Sequence, residues 1–213
     1  RNSKGNLRGI NIGKMKVSGK IVFFIGSALF LAICAFVFIL FLDFHEARVD
    51  AEGILFSDPV FQFLPVADCS LYIFSITYGS LVLFLLTNFR SSDLVSKLMV
   101  SYGLLLLFRM ITLSVLPLKE PDTLVFLQDP FLNNLIYPSN IDADLFFSGH
   151  VGMVFILYFL TKKWWYFLLG ILLGTLLMIQ RVHYSIDIIA AIPIAWITVG
   201  LVDLFVIKFV RKN

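Results

Sequence analysis

The chain has 213 residues, of which 59% are hydrophobic and only 15% charged, with a net charge of +3 and two cysteines. A soluble domain carries about 25% charged residues, so this composition excludes an ordinary water-soluble fold, and nothing in it suggests a nucleic-acid partner. Cys34 lies inside an apolar run and Cys69 at the edge of another, so neither a metal site nor a bridge between them is expected.

Residues 1–20 hold Arg1, Lys4, Arg8, Lys14, Lys16 and Lys20 without an acid. They read as a basic cytoplasmic segment. Met15 is a candidate natural start, which would make 1–14 a leader or an added stretch. A membrane domain is expected over 21–210, followed by a short cytoplasmic tail, 211–213. Its first apolar run, Ile21–Leu42, is uncharged. It is too long for a signal-peptide core and lacks a cleavage pattern, so it reads as a retained helix. Further runs follow at about Ser70–Leu86, Leu98–Leu118 with Arg109 inside, Leu145–Leu160 with His150, Trp164–Ile179, and His183–Ile207 with Asp187, Pro193 and Asp203. A crossing needs roughly 20 apolar residues. The expectation is an all-α integral membrane protein, a six-transmembrane-helix bundle with both termini cytoplasmic.

Orientation comes from charge. The N-terminal segment, the connection with Arg90 and Lys97, the one with Lys162 and Lys163, and the tail with Lys208, Arg211 and Lys212 contain most of the seventeen basic residues. The alternate connections carry eleven of the fourteen acids. The positive-inside rule puts the basic connections in the cytoplasm, where they could also hold anionic lipid. Trp164, Trp165 and Tyr166 suit an interfacial belt. Two outer connections contain an Asp-Pro step, Asp58-Pro59 and Asp129-Pro130. Asp as N-cap with Pro at the first helical position starts a helix, so a short helix lying on the membrane is expected in each loop.

Ionisable residues inside spans are costly and mark function by default. Here they share one depth. Ser148, Gly149 and His150 open the fourth run, His183 to Asp187 open the sixth, and Arg109 lies about two turns from the outer end of the third. His183 and Asp187 are four apart and would share a helix face. Asp187 can then orient one ring nitrogen and raise the basicity of the other. His150 suits a general acid, and Arg109 can grip a phosphate through paired hydrogen bonds. Together these residue types fit phosphoryl transfer through a phosphohistidine. The wider substrate-binding set is Arg109, Asp144, Ser148, Gly149, Tyr184 and Arg181. For several of these a plainer role is open: a cap for Asp144, interfacial packing for Tyr184, anchoring for Arg181. Asp203 is expected to pack or to pair with Lys208, and His45 to be structural among loop acids. Two histidines with one or two aspartates could alternatively ligate zinc or iron. Ser148 could serve a hydrolase, although no G-x-S-x-G elbow is present.

The segment D-L-F-F-S-G-H at 144–150 and the segment H-Y-S-I-D-I-I-A at 183–190 resemble the type 2 phosphatidic acid phosphatase superfamily, and more closely its sphingomyelin synthase branch. The stretch from Arg109 through Thr112 to Leu116-Pro117, and Lys163 to Tyr166, are similar to that branch as well. The resemblance covers about 58–190. It implies that His183 is the nucleophile, Asp187 its partner and His150 the proton donor to the leaving group. It also implies that no cofactor or metal is used. The partners would be membrane phospholipids with ceramide or diacylglycerol, the activity would face away from the cytosol, and a homo-oligomer is compatible with it. The chain departs from the branch at Val151, where threonine is usual, and at Asp142-Ala143. Leu177 stands where the phosphatase branch carries arginine, and no K-x6-R-P occurs. A headgroup transferase is therefore the expected activity. A lipid phosphate phosphatase or phospholipase C-like hydrolase is the alternative, and a non-catalytic scaffold or transporter the alternative of another class.

Overall fold

The computed structural model describes residues 17–129 and 145–212, with side chains over 19–129 and 145–206. Regular structure among the described residues is helical: α1 (Val17–Glu52), a short 3-10 helix (Pro59–Phe63), α2 (Ser70–Asn88), α3 (Ser92–Val115), α4 (Gly149–Thr161), α5 (Trp164–Ile179) and α6 (Ser185–Lys212). An isolated bridge joins Ile54 to Leu118. Four stretches, 19–52, 70–88, 92–115 and 185–206, are long and apolar enough to cross a membrane, and α4 and α5 are shorter apolar helices. The outward surface is apolar as well, with Leu71, Leu86, Ile189 and Trp196 all exposed. Apolar surface on that scale is incompatible with a water-facing monomer, and the chain is a membrane protein.

The helix limits depart from the apolar runs where packing overrides hydropathy. α1 does not stop near Leu42 but continues to Glu52, 36 residues in all. At 1.5 Å per residue that is about 54 Å, well beyond a hydrocarbon core of ~30 Å. Its last ten residues include Asp43, Glu46, Arg48, Asp50 and Glu52. They stay helical because the helix is docked on α3. Arg48 donates to the Ser114 carbonyl at 2.6 Å, and beyond it Ile54 N–H donates to Pro117 C=O at 2.8 Å. His45 accordingly lies within α1 rather than in a loop. It is buried and stacked on Phe41, ring centroids 5.4 Å apart.

α4 is the central helix. Val151 to Leu157 are all buried on it, against α2, α3, α5 and α6. It is short, 13 residues, or about 20 Å, and its sides are covered by protein. Small residues let neighbours approach closely. A Cβ at Gly170 would lie 2.7 Å from the Phe155 ring of α4, and one at Gly174 would lie 2.5 Å from Ile188 of α6. α1 adds a separate seam, Cys34, Phe38 and Leu42 against Leu106 and Leu113 of α3. Both cysteines are buried and free.

The six helices alternate in direction, so their ends gather in two groups. At one end lie the ends of α1, α3 and α5 and the starts of α2, α4 and α6. The Ile54–Pro117 bond, Cys69 N–H to Gln180 Oε1 at 2.9 Å, and Ser148 N–H to Asp187 C=O at 3.3 Å tie them together. At the opposite end Lys20 meets Asp93 at 4.0 Å and Lys97 meets Asp203 at 2.6 Å. Asp203 therefore pairs with Lys97 of α3. Lys162, Lys163 and Arg90 lie over neighbouring aromatic rings at this end.

Candidate active site

The 3-10 helix forms where its Asp-Pro step predicts. Asp58 is its N-cap and accepts the Val60 N–H at 2.9 Å, and Pro59 occupies the first turn. The matching Asp129-Pro130 start lies outside the described residues beyond Asp129, as does Asp144.

α5 ends in a pair of bonds that close a Schellman motif. Val182 N–H donates to Leu177 C=O at 3.0 Å, and Arg181 N–H donates to Met178 C=O at 3.2 Å. The motif needs a left-handed residue, and Arg181 supplies it at φ 62°. The chain then turns through His183 into α6, which begins at Ser185. His183 is therefore not on the helix, as its spacing suggested, but in the turn before it. The four-residue spacing still brings the two side chains together, because Asp187 reaches back over the helix start. Its Oδ2 accepts the Tyr184 N–H at 2.9 Å and lies 3.3 Å from His183 Nδ1. The first of these is half of a capping box. Its other half is missing, since Tyr184 has no short acceptor to offer, and Asp58 from the first loop satisfies a different orphan N–H of the first turn. Asp58 Oδ2 accepts the Ser185 N–H at 2.5 Å. One carboxylate thus starts both helices, at a separation of 127 residues.

The Ser-Gly-His segment arrives from the other side. Ser148 is buried and its hydroxyl accepts the Val151 N–H, capping α4. Its own N–H goes to the Asp187 carbonyl. Ser148 therefore has a structural role as the α4 cap, with its O–H hydrogen still able to donate. Tyr184 has a structural role as well. It has no exposed surface, donates to the Lys119 carbonyl at 2.9 Å, and stacks on Phe61 with centroids 5.7 Å apart. Burial pushes its hydroxyl up to about 12, so it stays a neutral donor.

Arg109 is 2% exposed and donates to the Phe147 carbonyl, immediately before the α4 cap. Its guanidinium lies between the rings of Phe38 and Phe147, at 5.7 and 5.6 Å. Gly149 packs flat against it. A Cβ there would be 2.8 Å from Arg109 Nη1, so the sequence keeps glycine where the arginine passes. Part of the guanidinium that was expected to grip a phosphate is thus already committed to holding the start of α4. His150 sits in the first turn of α4, half-buried, its ring edge-on to Phe74 of α2 at 5.9 Å.

Four of the sequence-selected residues, Arg109, Ser148, Gly149 and Asp187, are joined by direct contacts, and His183 and Tyr184 are joined to Asp187. Arg181 borders the group. His183 and Asp187 are 3% and 0% exposed at the side chain, so the pair is withdrawn from water. With Asp187 ionised, Nδ1 of His183 carries the proton and Nε2 keeps the lone pair. That is the arrangement of an oriented nucleophile or base. Among the described residues no group of three or more His, Cys, Asp or Glu side chains could hold a metal. Sequence reasoning missed two positioning residues. Asp58 was read only as a loop cap. Gln180, buried, accepts from Cys69 N–H and donates to Ser70 Oγ at 2.7 Å and to the Phe126 carbonyl. A polar residue closing an uninterrupted apolar run was a signal for it.

Comparison of the chain with family models, with curated proteins and with solved structures found no match.

Proposed function

We propose that the chain is a lipid-headgroup phosphotransferase built on six membrane crossings, with both termini and the lysine end cytoplasmic and the His183 end on the non-cytosolic side. The observation that carries the proposal is the junction of the two motif segments. Ser148 N–H is bonded to the carbonyl of the same Asp187 whose side chain meets His183. Two polar segments 35 residues apart in sequence would gain nothing from that union in a passive scaffold, where apolar packing costs less. The resemblance of 144–150 and 183–190 to the sphingomyelin synthase branch supports the same conclusion.

In this reading, His183 Nε2 attacks phosphorus of a glycerophospholipid. The bond from phosphorus to the diacylglycerol oxygen breaks, and His150 gives that oxygen a proton. The acceptor, ceramide or a similar lipid alcohol, then attacks the phosphohistidine and loses its proton to His150. The nitrogen–phosphorus bond breaks, and the headgroup leaves on the acceptor. Asp187 holds the imidazolium that forms. The burial of His183 and Asp187 favours transfer over hydrolysis, because water is the competing acceptor.

The test offers fluorescent ceramide with phosphatidylcholine or phosphatidylethanolamine to the purified protein in liposomes, with EDTA present. A phosphosphingolipid that disappears in His183→Ala is the expected result. Diacylglycerol without a phosphosphingolipid would mean hydrolysis. Inorganic phosphate released from phosphatidic acid, with no transfer product, would hand the site to the phosphatase reading.

A further inference from the structure

Arg181 is a buried cation that takes no part in the proposed mechanism. It is the one charged residue of the turn 180–184, it is 5% exposed, and it occupies a left-handed position, φ 62°. Glycine is the usual residue at that point of a Schellman motif, and an L-residue pays a steric penalty there.

The side chain does only part of what a guanidinium can. Arginine has five N–H donors. Nη2 donates to the carbonyls of Phe61 and Leu64 at 2.7 and 2.8 Å, which uses both of its hydrogens. The plane lies over the Phe61 ring at 4.1 Å, and Phe61 also stacks on Tyr184, the neighbour of His183. Nε and Nη1 are buried and have no hydrogen-bond partner among the described residues. No described carboxylate pairs with Arg181 either. Three N–H groups and a full positive charge are thus withdrawn from water unmet. A buried cation without a counter-charge is unstable unless an anion joins it.

The geometry points to Arg181 as the oxyanion subsite of this centre, with a free N–H of Nη1 or Nε donating to a non-bridging oxygen of a phosphoryl group. The carbonyls of Phe61 and Leu64 hold Nη2 in place, so the guanidinium is preorganised before the anion arrives. The inference rests on the phosphoryl-transfer reading for its location. It shifts the phosphate grip from Arg109, which holds the α4 start, to Arg181. The ligand chemistry is an anionic phosphoryl oxygen, supplied by a phosphodiester lipid headgroup or by free phosphate.

The experiment measures thermal unfolding of the purified protein in detergent, with and without inorganic phosphate, and in a second arm with short-chain phosphatidylcholine. Ligand that binds the folded state raises the unfolding temperature. The rise is expected in the wild type and in His183→Ala, and it is expected to vanish in Arg181→Gln and Arg181→Gly. The glycine variant keeps the left-handed turn, so its basal unfolding temperature separates a lost ligand from a broken fold. Arg181→Lys, which keeps the charge without the fork, is expected to retain a reduced rise. A rise with phosphate alone identifies a free phosphate or monoester subsite, and a rise with phosphatidylcholine alone a diester headgroup subsite. Both support the inference. An equal rise in Arg181→Gly and wild type, or no rise with either ligand in the wild type, overturns it. In the transfer assay, the donor KM is expected to rise at least tenfold in Arg181→Lys with a smaller change in kcat. Turnover that is indifferent to Arg181 would sink this subsite and spare the transferase. Arg181-dependent phosphate binding without turnover from any donor would do the reverse.

Discussion

The two ends of the bundle each contain a carboxylate paired with a nitrogen base, and the two pairs are built differently. Lys97 and Asp203 meet at 2.6 Å with side chains 17% and 48% exposed, whereas His183 and Asp187 lie 3.3 Å apart with side chains 3% and 0% exposed. The shorter contact is the less consequential one. Asp203 can turn to water, although Lys97 is largely covered, and partly exposed pairs contribute about 0–1 kcal/mol. Asp187 cannot. Its Oδ2 also holds the Tyr184 N–H, its carbonyl takes the Ser148 N–H, and the helix it starts is capped by Asp58. A membrane protein can carry charge at its rim for orientation, but a buried carboxylate needs donors, and Asp187 meets them through Oδ2, its Oδ1 being buried with no hydrogen-bond partner among the described residues. The difference in surroundings marks the site more reliably than the distance does.

The largest losses are expected at the pair itself. His183→Ala is expected to remove transfer activity altogether. Asp187→Asn is expected to lower kcat by roughly 10^3-fold, since it keeps an acceptor for the Tyr184 N–H but no charge for the imidazolium. Product formation in liposomes reads both. An Asp187→Asn protein with wild-type turnover would reduce the pair to a helix cap.

Next comes the capping carboxylate. Asp58→Ala orphans the Val60 and Ser185 N–H groups and is expected to cost about 1–2 kcal/mol, measured as a lower unfolding temperature together with reduced turnover. Asp58→Asn has one carbonyl oxygen and so keeps only one of the two acceptors; it should restore part of both. An alanine variant with wild-type stability and turnover would mean that the bond to Ser185 carries no weight.

Gly149→Ala probes the arginine behind α4. Its methyl group would stand 2.8 Å from Arg109 Nη1, and such overpacking typically costs about 1–3 kcal/mol. Activity should fall more than stability, because the displaced guanidinium holds the segment that contains His150. Denaturation and turnover measured on one preparation would show whether the two losses separate.

The smallest effect sharpens the contrast from the other end. Lys97→Ala and Asp203→Ala should each change stability by under about 1 kcal/mol and leave kcat unaltered. A large loss of activity from either variant would mean that the lysine end communicates with the site.

Much of this organisation was legible beforehand. Uninterrupted apolar runs announce helices because a chain without water must satisfy its backbone internally, and α2 and α5 begin where their runs do. Charge asymmetry separated the two ends, and the depth of Arg109, His150, His183 and Asp187 marked one of them. What misled was local spacing. His183 and Asp187 read as one helix face, yet a Schellman turn and a helix start intervene. The structural partners of Tyr184 and Ser148 were not legible, because a sequence shows a hydroxyl but not the carbonyl or N–H that it meets. α1 read as ending at Leu42, since hydropathy cannot see that Arg48 reaches Ser114.

By itself, then, the sequence determined an apolar helical chain, the basic and acidic ends it sorts into, and the residue types available for chemistry. These follow from solvent preference, which acts on each residue without reference to its neighbours. Only the tertiary structure decided that Asp58 caps a helix 127 residues away, that Arg109 is tied to the Phe147 carbonyl, and that Arg181 keeps three donors buried in a left-handed turn. Each of those depends on groups brought together from distant parts of the chain, which no local pattern encodes, because the packing of the helices decides which buried donors and acceptors meet.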